Sequence, residues 1–384
     1  MKKTGLKKKL NIVSLDIPYP PDYGGAIDIF QRLSSLKKMK VKINLHCYYY
    51  NRNPATELEK LCFKTYYYKR DMNYFNMFSS VPFMMKSRSS SELLKNLNKN
   101  SYPILFEGLH TCNVIENPQL KERMKIIRMH NVEYKYYNGL SNFTNDPLKK
   151  LYYKIESRKL NKFEKLIYHS DLLCTISDND YEYYSALHNN VMNLPAFHTH
   201  HIYQSEEQEN YALYHGNLNI SENEYTALYL INQIFNKLNY PLIIAGRNPT
   251  KKLKRIITSN PRVHLFENIQ TEELNNLIAK ARIHILPAFQ SAGIKLKLIH
   301  VLNSKGHIIT NSKMLTDKKL TEFCNIADSN SEMKKLIKNK AKQCVEEKMI
   351  KKRQIFLLEN YSNERNAEIL IDRIFNHPIS NSPE

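Results

Sequence analysis

The 384-residue chain has no tryptophan, no Cys-x-x-Cys pair and nothing close to the run of about 20 apolar residues that spans a bilayer. A transmembrane helix is therefore not expected. The N-terminus is basic (Lys2, Lys3, Lys7, Lys8, Lys9), but Asp16, Pro18, Pro20 and Pro21 cut the apolar run after it, so no signal-peptide core is expected there. Cysteines 47, 62, 112, 174, 324 and 344 are scattered, several in apolar strand-like runs, and read as reduced packing residues. No Gly-x-Ser-x-Gly elbow occurs, and Cys174 sits inside an apolar strand, so hydrolase readings are weak. The spaced-glycine dinucleotide fingerprint and the Gly-Lys-Ser/Thr of a P-loop are missing too, which counts against dehydrogenases and nucleotide hydrolases. Acidic residues are few: 57 Lys and Arg against 37 Asp and Glu give a net charge of +20, spread along the whole chain. Such a field attracts nucleic acid, anionic lipid or phosphorylated small molecules. Without a helix-turn-helix, zinc-finger or RNA-recognition signature, no nucleic-acid partner is expected. The charge is ascribed to phosphate ligands and an anionic membrane surface, and the chain is placed in the cytoplasm, peripheral on the inner membrane face.

What is present is alternation. Short apolar runs at Asn11–Ile17, Val41–Tyr48, Pro103–Glu107, Lys125–Met129 and Leu172–Ile176 alternate with amphipathic stretches, and so do Tyr211–His215, Pro241–Ala245, Arg262–Phe266, Ile283–Leu286 and His307–Thr310. The pattern predicts two α/β halves with parallel sheets, and the length exceeds what one core usually holds. The polar stretch around Glu206–Asn210 marks a boundary near residue 205. Thr271 is a candidate cap for a helix with an apolar stripe of Leu274, Leu277, Ile278 and Ala281, and Ser362–Phe375 reads as a terminal amphipathic helix. Ser87-Arg88-Ser89-Ser90-Ser91 reads as a flexible loop.

Several constellations carry chemistry. Gly293, Lys295 and Lys297 stand where a helix begins after a strand closed by Pro287, a setting that favours a phosphate; the alternative is an amphipathic helix with two solvated lysines. Gly24-Gly25 follows the first strand and lets backbone approach a ligand, or simply makes a helix-entry turn. Arg128-Met129-His130-Asn131-Val132-Glu133 puts a cation, an imidazole and a carboxylate at a strand end. Ala245-Gly246-Arg247 ends a buried strand with a guanidinium able to grip a diphosphate. His198, His200 and His201 lack matched ligands, so no metal site is expected. Tyr66-Tyr67-Tyr68-Lys69-Arg70 and Met84-Met85-Lys86 suit a membrane interface, an acceptor groove or plain core packing.

Taken in order with Pro20 to Gly25, Cys174 to Ser177, Tyr214 to Leu218 and Gly293 to Leu298, these segments resemble family 4 glycosyltransferases of the GT-B fold. The resemblance is greatest to the group from surface-glycan gene clusters of Bacteroidetes-like bacteria, often called mannosyltransferases. It implies two Rossmann-like doubly wound domains facing a cleft. Residues 1–205 would bind acceptor, residues 206–360 the nucleotide-sugar, and a terminal helix in residues 361–384 would cross back to the first domain. It implies a hexosyltransferase acting with retention on a surface-glycan precursor (capsule, lipopolysaccharide or glycoprotein glycan), with a glycan or lipid-linked acceptor and no metal or other cofactor. Arg247, Lys297 and His130 would be catalytic; Gly24, Gly25, Arg128, Gly216, Gly246, Gly293, Ile294 and Lys295 would bind donor. Two departures stand out: Gln290 and His300 replace a paired-glutamate motif, and His215-Gly216-Asn217-Leu218-Asn219 lacks the usual basic pair. The alternatives are a nucleotide-sugar epimerase or a non-catalytic GT-B-like protein binding a membrane or partner.

Overall fold

The computed structural model describes residues 8–144, 146–199, 203, 207–290 and 295–376. Among these, strands β1 (Lys9–Ser14), β2 (Lys42–Tyr49), β3 (Lys64–Lys69), β4 (Ile104–Glu107), β5 (Lys125–Arg128), β6 (Leu172–Thr175) and β7 (Val191–Asn193) form one sheet, in the order β3-β2-β1-β4-β5-β6-β7. A second sheet holds β8 (Glu209–Asn217), β9 (Leu242–Arg247), β10 (Val263–Glu267), β11 (Ala281–Ile285), β12 (His307–Thr310) and β13 (Asn325–Ile326), in the order β10-β9-β8-β11-β12-β13. Every pairing in both sheets is parallel. Parallel strands covered by helices on both faces read as near-continuous apolar runs, which is why the central strands are visible in the sequence.

Strands β3, β7 and β13 escape the sequence reading, and all three lie at sheet edges. β3 is the run Lys-Thr-Tyr-Tyr-Tyr-Lys, mostly half-buried, while β7 and β13 have three and two residues. Edge strands are short and charged because a long apolar edge would recruit other chains. β1 runs from Lys9 to Ser14 rather than from Asn11 to Ile17. The chain leaves the sheet at Asp16, whose carboxylate accepts the Ile17 N–H at 2.8 Å.

The chain divides into two compact units: Met1–Asn138, Leu151–His198 and Tyr361–Glu384 in one, Gly139–Lys150 and Thr199–Asn360 in the other. In the first, alternate residues of β1 feed opposite faces of the sheet: Leu10 and Ile12 pack in one core cluster and Val13 in another. The terminal helix Asn363–Phe375 supplies Ala367, Leu370, Ile371 and Ile374 to the cluster holding Ile12, beside Ile29, Leu33 and Leu36 of the helix Gly24–Lys38. Ser362 caps that terminal helix by accepting the Arg365 N–H. Thr271, by contrast, is the first helical residue of Thr271–Lys280 behind Gln270, and no side-chain cap is made.

The stretch 87–91 is not a loose loop. Ser87 and Arg88 are buried, and Ser90 caps the helix Ser91–Leu97. Four cysteines (47, 62, 112 and 174) are buried thiols, whereas Cys344 is exposed. No helix of the described residues is long and apolar enough to cross a membrane.

Candidate functional site

In the second sheet the strand order reverses between β8 and β11, and in open parallel sheets ligands bind beyond the carboxyl ends of strands at such a point. There β8 ends in Gly216 and Asn217 and leads into the helix Ser221–Tyr229, while β11 is followed by Pro287 to Gln290. Lys297, in the first turn of the helix Leu296–Leu302, reaches back to this edge. Its Nζ donates to Asn223 Oδ1 at 2.9 Å, lies 3.5 Å from the Tyr214 hydroxyl and sits 4.9 Å from the centre of the Tyr214 ring. Gly216 matters because a Cβ there would stand 3.2 Å from that ammonium and 3.4 Å from Asn223 Nδ2. Burial pushes the Lys297 amine down to about 8, the charge of Lys295 adds to the shift, and Glu222 opposes it. A cation so desolvated gains more from an anion than a surface lysine does.

Glu222 shapes the neighbouring loop. One carboxylate oxygen accepts the N–H groups of Phe289 at 3.2 Å and Gln290 at 3.0 Å, and Lys295 Nζ stands 3.8 Å from it. Arg247 is the last residue of β9 and is in register with Asn217, one step beyond the pair Gly216 and Gly246. Lys295, Lys297, Gly216 and, through the register, Gly246 and Arg247 thus collect at the carboxyl ends of β8 and β9. Gly246 has a packing reason as well: a Cβ there would stand 2.1 Å from the Gly216 carbonyl oxygen. Gly293 and Ile294 lie outside the described residues, as do His200 and His201.

His130, Arg128, Gly24 and Gly25 belong to the first unit. Arg128 corrects its assignment as a donor-facing cation. It is 0 % exposed; its Nε and Nη2 donate to Asp28 at 3.0 and 2.9 Å, and Nη1 and Nη2 to the carbonyls of Leu194 and Pro195. Arg32 donates to Asp28 at 2.7 Å and pairs with Glu107, and His130 Nε2 lies 2.9 Å from the other Glu107 oxygen. Burial alone would raise both acids, but Arg128 and Arg32 hold Asp28 low, and Arg32 and His130 hold Glu107 low. Asp28, Glu107 and His130 have the spacing of metal ligands. Their two carboxylates already balance two guanidiniums, so a divalent cation there would face uncompensated arginine charge. His130 projects from this buried network only 13 % exposed, with its ring fixed by Glu107. Gly108, at φ +69°, makes the turn after β4 that brings His110 beside it.

Gly24 and Gly25 open the helix Gly24–Lys38 behind Tyr23, and a Cβ on Gly25 would press on the Tyr23 ring at 3.1 Å. His198 is no ligand: it is buried, with Nε2 bonded to the Tyr361 carbonyl at 3.1 Å. Gln290 is buried with no partner for Nε2 among the described residues, against Gly139, while His300 Nε2 meets Asn275 at 3.1 Å. The sequence reading missed Asp28, Arg32, Glu107, Glu222 and Asn223. Glu222 and Asn223 look like ordinary polar residues of a first helical turn, and only the fold shows that they face the β8 edge.

No family model matches the chain. A Klebsiella pneumoniae protein named "Uncharacterized 44.6 kDa protein in cps region" is 28% identical over 322 residues, 79% of this chain and 83% of that protein. Sucrose-phosphate synthase from Thermosynechococcus elongatus matches with a TM-score of 0.72 at 12% identity, over 94% of this chain and 97% of that one. Anabaena HepE in complex with UDP-glucose matches with a TM-score of 0.64 at 11% identity, over 95% of this chain and 100% of that one. With its two parallel α/β sheets of seven and six strands, the chain has the fold of GT-B glycosyltransferases.

Proposed function

We propose that this chain is a glycosyltransferase that moves a hexose from a nucleotide-diphosphate sugar to a surface-glycan precursor, with retention of configuration. The observation that carries the reading is the Lys297 ammonium, part-buried at the β8 edge beside Gly216 and Asn223 in a GT-B fold. An acceptor hydroxyl attacks the anomeric carbon, the bond from that carbon to the diphosphate oxygen breaks, and the electron pair leaves with the diphosphate. The proton of the acceptor hydroxyl passes to the departing diphosphate. Lys297, Lys295 and Arg247 offset the charge that develops, in a site that is already organised before reaction. Gly24, Gly25, Gly216, Gly246, Gly293, Ile294 and Lys295 are assigned to donor binding, and His130 to orienting the reacting sugar. The reading needs no resident metal or organic cofactor.

A nucleotide-sugar-binding neighbour in the same fold and a relative named for a cps region support a capsule or related glycan as product, and a glycan or lipid-linked acceptor. The net charge of +20 supports a cytoplasmic protein resting on the anionic inner face of the membrane. The test is product analysis by mass spectrometry after incubating the protein with UDP-, GDP- and dTDP-sugars and membrane extracts containing lipid-linked glycans. Transfer yields a lipid or glycan heavier by one hexose together with free nucleoside diphosphate. An isomerised donor sugar without diphosphate release would instead mean an epimerase.

A further inference from the structure

Arg88 differs from the other deeply buried arginines of the first unit. It is 1 % exposed and makes no ion pair among the described residues; its Nε donates to the Leu15 carbonyl at 2.8 Å and its Nη1 to the Met84 carbonyl at 2.7 Å. No hydrogen-bond partner for Nη2 exists among the described residues. Arg70 comes to the same place from the end of β3, with Nη2 and Nε donating to Ser87 Oγ at 2.9 and 3.3 Å and Nη1 left over among the described residues. Both guanidiniums touch one sulfur, that of Met84, Arg70 at 3.6 Å and Arg88 at 3.9 Å. They therefore flank a single side chain.

The carboxylate whose field reaches both is Asp16, just beyond β1, and the phenols of Tyr23 and Tyr137 lie in the same field. Arg70, Asp16 and Tyr23 are only partly buried, so the cluster opens to solvent beyond the carboxyl ends of β1 and β3, where ligands of open sheets bind. Two guanidiniums side by side repel, and the single carboxylate of Asp16 offsets only one of the two charges, so the arrangement calls for a further anion. Neither guanidinium keeps a complete two-pronged edge, because Nε and one Nη of each are already used. What remains is one Nη on each of two neighbouring guanidiniums, which suits a tetrahedral oxyanion better than a planar carboxylate gripped by one fork.

We infer that Arg70 and Arg88 form a phosphate-binding subsite in the first unit, and that it holds the phosphate or diphosphate of the acceptor. The acceptor role rests on the glycosyl-transfer reading; the anion site does not. Calorimetry tests it in an Arg247→Ala/Lys297→Ala background, which removes the cations proposed for the donor. The probes are D-glucose 6-phosphate, geranyl diphosphate and D-glucuronate. The expected result is that at least one phosphate probe binds, that Arg70→Gln weakens it tenfold or more, and that Arg70→Lys restores part of the loss. Tighter geranyl diphosphate would identify a lipid-linked source, tighter glucose 6-phosphate a soluble one. Arg88→Gln is a second variant, read only where its circular dichroism and melting match the parent; Arg70, at the partly exposed mouth, keeps the test independent of folding. The inference is overturned if neither phosphate binds, if Arg70→Gln binds as tightly as its parent, or if glucuronate binds best. Donor titration of the unmodified protein reports on the glycosyl-transfer reading separately.

Discussion

Arg128 and Arg88 are both fully buried in the same unit, yet their surroundings give them opposite meanings. Arg128 is saturated by Asp28 and two carbonyls, so replacing it leaves two buried carboxylates, Asp28 and Glu107, to share the single guanidinium of Arg32. Breaking a buried pair in this way costs about 3–5 kcal/mol. Arg128→Met is therefore expected to lower denaturant-measured stability by that amount, and donor affinity lost with stability unchanged would contradict the structural role. Lys297 behaves differently because its amine is pushed down to about 8 and must be protonated to hold a diphosphate. UDP affinity is predicted to be flat below about pH 8 and to fall by up to about tenfold per pH unit above it. Lys297→Arg should bind UDP without that fall, since a guanidinium stays charged. Titrations at pH 7, 8 and 9 decide it, and an identical fall in both proteins would show that another group is responsible.

The elements were legible where both faces of a strand are buried and faint where one face is open. Central strands such as β6 and β12 announce themselves as apolar runs, whereas β3 reads as a string of tyrosines between lysines. Lys295 and Lys297 were visible because the strand-to-helix change is local. Arg88 was misread as part of a serine-rich loop because its burial depends on the Leu15 carbonyl, 73 residues earlier in the chain. Gly246 shows the same dependence on a neighbouring strand. Its missing side chain faces the Gly216 carbonyl at 2.1 Å, so Gly246→Ala must push β8 and β9 apart at the proposed donor edge. We expect a loss of about 1–3 kcal/mol with weakened donor binding, measured by denaturation and calorimetry. A variant as stable as its parent would mean that the strands part freely.

At the scale of the whole molecule, both units bury neutral histidines. His46 in the first and His284 in the second are 0 % exposed, and burial, followed by nearby cations, pushes each imidazole down to about 3. An unfolded histidine titrates near 6.5, so each contributes stability that is fully present above that value and is lost as pH falls towards 3. The slope is about 1.4 kcal/mol per pH unit for each histidine, and the two lie in different units. Denaturation at pH 7.5 and pH 5.5 should show both units losing stability at the lower pH, and flat stability over this range would overturn the assignment of neutral buried imidazoles. The two-sheet architecture was readable from alternation alone, but the pairing of Asp28 with Arg128, 100 residues apart, was not. Such a pairing follows from the packing of the helix Gly24–Lys38 on the sheet beside β5.

A nucleotide-sugar is proposed to bind the second unit at the carboxyl end of β8. Calorimetric titration of UDP-, GDP- and dTDP-sugars into the full chain, beside Arg247→Ala and Lys297→Ala, tests it most directly. Selective binding of one nucleotide class, weakened at least tenfold in each variant, is the expected result. Well-folded protein that binds no donor, or variants that bind as tightly as the parent, would contradict it.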